Sequence, residues 1–333
     1  MSVRTAAIRG ASSALYHSGL AGVFARGVGF AHAKPRVPIL TMHRVNDDND
    51  PFMPSMPTAV FAGRMAHIAR HYRVLTVEEL AVGLLERRVP RNALAITFDD
   101  GYRDNLTHAA PILQQLGLPA TIFLVTGLIG TPHALWVDRL ALAFKAAIAR
   151  RVELANGHVL SLATVAERLA GLQAALGHLK RLPDDERTAS VERLIADLRP
   201  SHDRPKRLML SWDEVGALRG LGFSIGAHTV THPILSRLTP SQVRDEVRGS
   251  KAAIEKALGV PARAFAYPNG QPDDYNEAVT QAVREAGFTC AVTTRRGLND
   301  TDTPVLELRR GGPWETHVPT FALKLAYYQA TGA

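Results

Sequence analysis

Two clusters of ionisable residues stand out in this sequence of 333 residues. Asp99 and Asp100 are adjacent carboxylates that follow the apolar segment Ala93–Phe98. In a dry site their charges repel each other unless a cation or a shared proton relieves them. On an extended backbone, neighbouring side chains point in opposite directions, so one carboxylate can bind a metal while the other addresses a water molecule. A simple turn after the strand is the alternative, because Asp-Gly is a common turn dipeptide.

The second cluster is the pair His228 and His232, four positions apart in the segment HTVTH. Two imidazoles at this spacing can converge on one ion, although two surface histidines would give the same pattern. With Asp100 they would form a His₂Asp site with open positions for water and substrate, the usual arrangement of a catalytic zinc ion. The lone Cys290 excludes a disulfide framework and a thiolate cluster, so any metal must use His, Asp or Glu.

Both clusters come at the ends of predicted strands. Apolar runs predict strands at 37–42, 73–75, 93–98, 120–125, 223–227, 264–267 and 288–292. The helical spacing between them is the βα pattern of a parallel sheet or barrel, in which ligands bind at the carboxyl ends of the strands. Residues from about 135 to 207 have helical spacing without a convincing strand. We interpret them as a helical insertion in one barrel domain of residues 35–333.

The positive charge of the chain is concentrated at its amino terminus. The formal net charge is +8, and residues 1–46 hold six of the 39 basic residues and none of the 31 acidic ones. The rest of the chain is nearly neutral, and its few aromatic residues do not alternate with basic ones, which argues against a nucleic-acid partner. No apolar stretch of about 18 residues occurs, so no membrane-spanning helix is predicted.

Residues 1–34 are predicted to form a basic amphipathic segment. Leu15, Leu20, Val23 and Phe24, with arginines around them, would suit peripheral contact with an anionic bilayer. A helix that simply packs on the domain is the alternative. A secretory signal is disfavoured, because basic and polar residues interrupt the apolar run. The expected location is the cytoplasm, at the periphery of the inner membrane, with a periplasmic or secreted protein as the alternative.

Three segments resemble the signature motifs of the polysaccharide deacetylase family, carbohydrate esterase family four. They are TFDDGYRDN at 97–105, HTVTH at 228–232 and FAYPNG at 265–270, and their order and spacing match the family over roughly residues 37–310. The resemblance implies a distorted (β/α) barrel of the α/β class that holds a divalent metal, usually zinc. It also implies removal of N-acetyl groups from amino sugars of a polysaccharide, an oligosaccharide or a lipid-linked glycan.

The resemblance further implies roles for individual residues. Asp100, His228 and His232 would bind the metal. Asp99 would be the general base that takes a proton from the attacking water. The backbone N–H of Tyr267 would donate to the oxyanion.

Two departures from the family pattern leave the general acid open. The third motif is usually richer in arginine, and here Arg263 is near but not in the expected place. The late leucine-histidine motif is not evident. The segment LTMHRV at 40–45 resembles the branch that contains poly-N-acetylglucosamine deacetylases, in which a histidine after the first strand lies in the active site. His43 is therefore the first candidate to protonate the leaving amine, and His317 is the second. A structural histidine is the alternative reading of His43.

Further residues are candidates for contacting the substrate. Trp314 could line the cleft, and Arg309 with Arg310 could bind an anionic sugar or pyrophosphate unless the two form a solvated pair. The complete set of substrate-contact candidates is Arg44, Pro268, Asn269, Arg309 and Trp314.

Two other functions stay open on the sequence. The chain could be a non-catalytic carbohydrate-binding barrel, although the intact Asp99, Asp100, His228 and His232 disfavour this function. It could also be a metal amidohydrolase that acts on a small N-acyl compound.

Overall fold

Seven parallel strands form one curled sheet in the computed structural model of this chain, which describes residues 3–20, 22, 27, 34–201 and 207–332. In chain order the strands are β1 (Ile39–Met42), β2 (Arg73–Leu75), β3 (Ala93–Phe98), β4 (Thr121–Leu124), β5 (Arg151–Glu153), β6 (Val159–Ser161), β7 (Ser224–Ala227), β8 (Ala264–Ala266) and β9 (Cys290–Val292). All except β5 and β6 belong to the curled sheet, in the order β1-β3-β4-β7-β8-β9, with β2 beside β3. These seven strands match the seven predicted ones, each shortened by at most two residues at an end.

Helices alternate with the strands, and several of them pack against the apolar side chains on the outer face of the sheet. In the described residues they are α1 (Val3–His17), α2 (Thr58–His71), α3 (Val77–Leu85), α4 (Ala110–Gln115), α5 (Trp136–Lys145), α6 (Val165–Leu179), α7 (Asp184–Leu198), α8 (Trp212–Gly220), α9 (Pro240–Leu258), α10 (Glu277–Glu285) and α11 (Val318–Thr331). A π-helical turn, Asn105–Ala109, leads directly into α4, and a 3₁₀ turn, Leu235–Arg237, precedes α9.

The segment 308–311 connects the last strand of the sheet back to the first. Leu308 pairs with β9, where its N–H donates to the carbonyl of Ala291 at 2.9 Å and its carbonyl accepts from Thr293 at 2.8 Å. Three residues later, the N–H of Gly311 donates to the carbonyl of Ile39 in β1 at 2.9 Å. The curled sheet is therefore a distorted (β/α) barrel, as predicted, and residue 310 lies where the barrel closes.

Alternation along β3 determines which side chains enter the barrel. Ala93, Ala95 and Thr97 are fully buried, and the two alanines belong to the hydrophobic cluster inside the barrel. The large residues between them belong to the cluster that packs against the surrounding helices. Because side chains on a strand alternate between its two faces, Asp99 continues the inward register directly after the strand ends.

The region between β4 and β7 has its own hydrophobic cluster, to which α5, α6 and α7 contribute. The prediction that it contains no strand was wrong, because β5 and β6 form an antiparallel hairpin. Its turn contains Asn156 and Gly157, and Gly157 has a φ of 80°. Each strand has only three residues, too few for the period of two to be read, but an Asn-Gly pair is itself a hairpin signal.

Helix α1 packs on α11, the last helix of the described chain. Ser12 is buried in this contact, and its hydroxyl lies 2.9 Å from that of Thr320. Ile8, Leu15 and Leu20 are exposed, Leu20 to 57%. Val23 and Phe24 lie outside the described residues. Within the described part of the chain, no helix is long and apolar enough to cross a membrane.

Candidate active site

The two adjacent carboxylates diverge at the carboxyl end of β3. Asp99 keeps the inward register of the strand, whereas the backbone of Asp100 turns into the left-handed region with a φ of 74°. Gly101 follows with a φ of 81°, and a Cβ atom there would come within 2.9 Å of the Leu124 side chain. The chain therefore leaves the sheet in a conformation that glycine tolerates best, and the two carboxylates reach different partners.

Asp99 is bound by Arg310 inside the barrel. Two parallel hydrogen bonds of 2.7 Å join the guanidinium to the two carboxylate oxygens, and each of the two residues is only 2% exposed. The same guanidinium donates to the carbonyl of Thr293 at 2.8 Å and to the hydroxyl of Thr97 at 3.2 Å. Burial works against the charge of Asp99, but Arg310 outweighs it and holds the pKa of Asp99 well below its usual range.

Arg309 and Arg310 form neither a solvated pair nor a joint binding site for an anionic sugar. Arg310 is buried. Arg309 is exposed and does not line the cleft at the carboxyl ends of the strands. The sequence held a signal for this difference, because Leu306 and Leu308 precede Arg310 at intervals of two residues. An extended segment with that pattern points its third member inward as well. Arg310 is therefore the arginine that pairs with Asp99 in this chain.

Asp100, His228 and His232 come together at one point. Their ligand atoms lie within 4.8 Å of one another, and both Nε2 atoms are 3.6 Å from Oδ1 of Asp100. Nδ1 of His228 lies 2.7 Å from the carbonyl of Ala266. Since a carbonyl only accepts, Nδ1 carries the proton and Nε2 presents its lone pair to the cluster. This is the tautomer that a metal ligand requires.

The protonation behaviour of the cluster fits a bound cation. Burial raises the pKa of Asp100 well above its usual value, and the neighbouring Asp99 raises it further. Burial lowers the pKa of His228 to about 4, and it lowers that of His232 well below its usual value. Both imidazoles are therefore neutral at pH 7, while the carboxylate lacks a compensating charge. A divalent cation between two neutral imidazoles and one carboxylate would supply it, so these residues fit a metal ion.

The segment between the two histidines is held by a residue that the sequence analysis missed. One oxygen of Glu246 in α9 accepts the backbone N–H groups of Val230 at 2.7 Å and Thr231 at 2.9 Å, and the other accepts the Thr231 hydroxyl at 2.6 Å. Thr229 and His232 have φ angles of 66° and 63°. A positive φ is unfavourable for a β-branched residue such as Thr229, so the loop needs such an anchor.

Of the residues in the third motif, Asn269 reaches the cleft and Tyr267 does not. The N–H of Tyr267 donates to the carbonyl of Val292 within the sheet at 3.1 Å, so the prediction that it binds the oxyanion was wrong. Pro268 is buried and does not line the cleft, whereas Asn269 does, with a φ of 57°. Gly270 has a φ of 66°, and a Cβ there would lie 2.8 Å from the backbone nitrogen of Thr294. This close approach fixes the turn that carries Asn269 to the cleft.

A catalytic cleft of about 500 Å³ opens at this end of the barrel. It is lined by Asp99, Asp100, His228, His232, His43, Arg44, Asn269, Thr294, Tyr102, the segment 52–54, and the insertion residues Leu135, Val137, Asp138, Ala141, Leu172, Gln173, Leu176 and Lys180. The insertion thus forms one wall, and the carboxyl ends of the strands form the floor.

His43 is the general-acid candidate that the structure brings to this cleft. Its carbonyl accepts a hydrogen bond of 2.8 Å from Asn105, which fixes the loop after β1. Desolvation lowers the pKa of His43, the charge of Asp99 offsets part of this effect, and the charge of Arg310 adds to it. His317 is not among the lining residues; its ring nitrogens lie 2.8 Å from Thr320 and 3.4 Å from Ser13, in the contact between α11 and α1.

Two of the predicted substrate contacts have other surroundings. Arg44 lines the cleft, but its guanidinium pairs with Asp104 at 3.1 Å and lies over the ring of Tyr102. Trp314 is 60% exposed and lines a separate surface depression beside Thr41 and Met42.

The insertion adds a carboxylate that the sequence analysis did not assign to the site. The Tyr102 hydroxyl lies 2.9 Å and 3.1 Å from the two oxygens of Asp138, to which it donates. Burial raises the pKa of Asp138 to about 6. Asp138 also raises the pKa of Asp100, so the cleft holds three carboxylates close to one another.

Comparison with known proteins agrees with this geometry. The model of the polysaccharide deacetylase family matches residues 86–291, more than half of the chain. YxkH of Bacillus subtilis (strain 168), whose name points to polysaccharide deacetylation, is 24% identical over 277 residues, which are 83% of this chain and 70% of YxkH.

Solved structures share the fold. The Streptococcus pyogenes deacetylase PplD in complex with acetate has a TM-score of 0.57 and 20% identity, over 84% of this chain and 92% of PplD. IcaB from Ammonifex degensii also has a TM-score of 0.57, with 18% identity, over 87% of this chain and 97% of IcaB.

Proposed function

The chain belongs to the polysaccharide deacetylase family, and we propose that it removes N-acetyl groups from the amino sugars of a glycan with the help of a divalent metal, zinc. Asp100, His228 and His232 would hold the metal. The observation that carries this proposal is the divergence of Asp99 and Asp100. One carboxylate is kept ionised by Arg310, and the other faces two neutral imidazoles in the same cleft. The proposed general base and the proposed metal site therefore lie next to each other in the same cleft.

A divalent metal held by these residues would supply Lewis-acid chemistry, which lowers the pKa of water and polarises an acetyl carbonyl. Asp99 takes the proton of the attacking water, because its ion pair with Arg310 keeps it ionised and fixes its orientation. The backbone N–H of Asn269 is our candidate for stabilising the developing oxyanion. This group lies in a turn that opens onto the cleft, whereas the N–H of Tyr267 is used by the sheet.

His43 is proposed to protonate the leaving amine. Its imidazole lines the same cleft as Asp99, whose charge offsets part of the lowering of the His43 pKa by desolvation. Expulsion of an alkyl amine without a proton is very unfavourable, so the reaction needs an acid at this point. Asn105 supports the role, because it holds the carbonyl of His43 and so limits the positions of the ring.

A pair of conservative variants tests the proposed function. We expect Asp99→Asn to abolish acetate release from N-acetylglucosamine oligomers while the purified protein keeps its metal. Asp100→Asn should lose both, because it removes a ligand. Metal content is measured after gel filtration, and acetate is measured enzymatically. Wild-type protein that binds no divalent metal would favour the carbohydrate-binding barrel, and turnover of small N-acyl compounds alone would favour the amidohydrolase.

We also propose peripheral membrane contact through residues 1–34, with the protein in the cytoplasm at the inner membrane. Ile8, Leu15 and Leu20 are exposed beside the basic start of the chain, although α1 packs on α11 by another face. Replacing these three residues with serine should abolish co-flotation with vesicles of anionic lipid. Wild-type protein that does not float would overturn the proposal.

A further inference from the structure

Asp138 is a carboxylate in an otherwise apolar part of the cleft wall. It lies in the first turn of α5, and the residues around it in the sequence that also line the cleft are Leu135, Val137 and Ala141. Only 7% of Asp138 is exposed, so its carboxylate is almost completely removed from bulk water. An ionised group in such surroundings is unfavourable unless hydrogen bonds or an opposite charge stabilise it.

The described protein groups supply only part of this stabilisation. The Tyr102 hydroxyl has a single proton, which it shares between the two oxygens of Asp138 at 2.9 Å and 3.1 Å. Among the described residues, no other group donates a hydrogen bond to Asp138, and the nearby guanidinium of Arg44 pairs with Asp104 instead. A carboxylate accepts up to about four hydrogen bonds, so this buried one retains unused acceptor positions.

The bond with Tyr102 holds Asp138 next to the proposed reaction site. Tyr102 lies two residues after Asp100, on the segment that leaves β3, so the bond joins the insertion to the floor of the cleft. Asp100 and Asp138 line the same cleft of about 500 Å³, which is of the size that holds a small ligand. A sugar whose acetyl group reaches the metal cluster would therefore bring its ring within reach of this wall.

Two structural roles are the alternative explanation for a carboxylate at this position. A negative charge in the first turn of α5 interacts favourably with the helix dipole, and Asp138 fastens the insertion to the barrel through Tyr102. Neither role requires a buried carboxylate with unused acceptor positions in the wall of a cleft. A sugar presents hydroxyl donors beside apolar C–H groups, and ligand sites commonly match such molecules with a few polar groups in an apolar wall.

We propose that Asp138 is a specificity-determining residue that accepts a hydrogen bond from one hydroxyl group of the acetylated amino sugar. This inference rests on the proposed function and adds the feature of the sugar that the insertion recognises. The substrate class is an acetylated amino sugar whose hydroxyl group at that position is unsubstituted. Tyr102 acts as a positioning residue, because its hydroxyl orients the carboxylate.

The test compares kcat/KM for methyl N-acetylglucosaminide and its 3-deoxy, 4-deoxy and 6-deoxy analogues. It is performed at pH 8, where Asp138 is ionised because burial raises its pKa only to about 6. We expect the wild type to lose about tenfold or more on one analogue, as for a lost hydrogen bond to a charged group. Asp138→Asn should be slower on the parent glycoside and should lose less than about threefold on that analogue, because the variant has already lost the contact.

Two further variants separate a contact with the sugar from a structural role. Tyr102→Phe breaks the link between insertion and barrel but keeps the carboxylate, so it should retain most of the discrimination against that analogue. Asp185→Asn is the matched control, because Asp185 is an exposed residue in the first turn of α7 and does not line the cleft. Its rates should equal those of the wild type. Asp138→Ser should repeat the pattern of Asp138→Asn and replaces it if the latter misfolds.

Equal losses of Asp138→Asn on all four glycosides would assign Asp138 a structural role and overturn the inference. Turnover of N-acetylglucosamine oligomers without turnover of the parent glycoside would also overturn it, because recognition would then depend on neighbouring sugars. Both results leave the deacetylase function standing. Failure of the wild type on the four glycosides and on the oligomers would instead count against the proposed function.

Discussion

Arg310 holds Asp99 in a buried, two-pronged ion pair, although the two residues are 211 positions apart in the chain. Asp99 follows β3, and Arg310 lies on the segment that closes the barrel between β9 and β1. Closure of the barrel and ionisation of the proposed base therefore depend on the same segment. A change that loosens this segment should disturb catalysis before it disturbs the metal cluster.

Replacing Arg310 should shift the acid limb of the pH–activity profile to higher pH. The pKa of Asp99 is held low by Arg310 against the effect of burial, so removing the guanidinium leaves burial to raise it. We expect Arg310→Gln to lose at least tenfold in kcat, and more at pH 6 than at pH 8. Arg310→Lys should be intermediate, because an ammonium cannot form two parallel hydrogen bonds. The measurement is kcat from pH 5 to 9.

The matched control for this prediction is Arg309→Gln, since Arg309 is the adjacent arginine and is exposed. It should leave the profile unchanged. The metal content and melting temperature of each variant separate a shifted base from a misfolded protein, because an unpaired buried carboxylate is itself destabilising. An acid limb that stays in place in folded Arg310→Gln would contradict the prediction.

Glu246→Gln should weaken metal binding. Glu246 anchors the backbone between the two histidines, and an amide accepts such hydrogen bonds less strongly than a carboxylate does. Residues that orient metal ligands typically contribute about 10- to 100-fold in affinity, and we expect the lower end. Competition with a chelator measures the dissociation constant. Asp245→Asn, at an exposed neighbouring position on α9, should match the wild type, and equal affinities in both variants would refute the anchoring role.

His43→Gln should slow the reaction in a way that depends on the leaving group. Without a proton donor, an alkyl amine is expelled poorly, and a loss of about 100-fold or more is expected. An aromatic amine is a better leaving group, so an acetanilide should lose much less. The measurement is the ratio of the rate on the alkyl amide to the rate on the acetanilide, compared between the wild type and the variant. His317→Gln is the control, because His317 lies in the contact between α11 and α1. Equal losses on both substrates would argue against an acid at His43.

The buried histidines should make the metal-free protein less stable as the pH falls. The pKa of His228 is about 4 in the folded chain against an ordinary value of 6.5. Its contribution is therefore present above pH 6.5 and is lost as the pH falls towards 4, by about 3 kcal/mol. The raised pKa of Asp100 has the opposite effect on stability as the pH falls. The contribution of His228 is therefore measured as the difference between the wild type and a variant without this histidine. The free energy of unfolding in urea should fall more between pH 7 and 4 in the wild type than in His228→Asn.

The sequence by itself predicted the sheet and much of the site, because local patterns encode both. Seven apolar runs marked the seven strands, and the polar residues after them marked the end where ligands bind. Asp100, His228 and His232 were grouped as a potential metal site from residue type and spacing, and they lie together in the structure. Each prediction needed only the alternation of a strand and the chemistry of the side chains.

Tertiary structure decided which of two residues close together in the sequence reaches the site. The alternation after Leu306 and Leu308 can turn Arg310 inward, but only barrel closure brings its guanidinium to Asp99, which lies far away in the chain. The same holds for Tyr267 and Asn269, since the sheet uses the N–H of the first and leaves the second facing the cleft. Such contacts join residues far apart in the chain, so no local pattern can specify them, whereas strands, turns and ligand types are local.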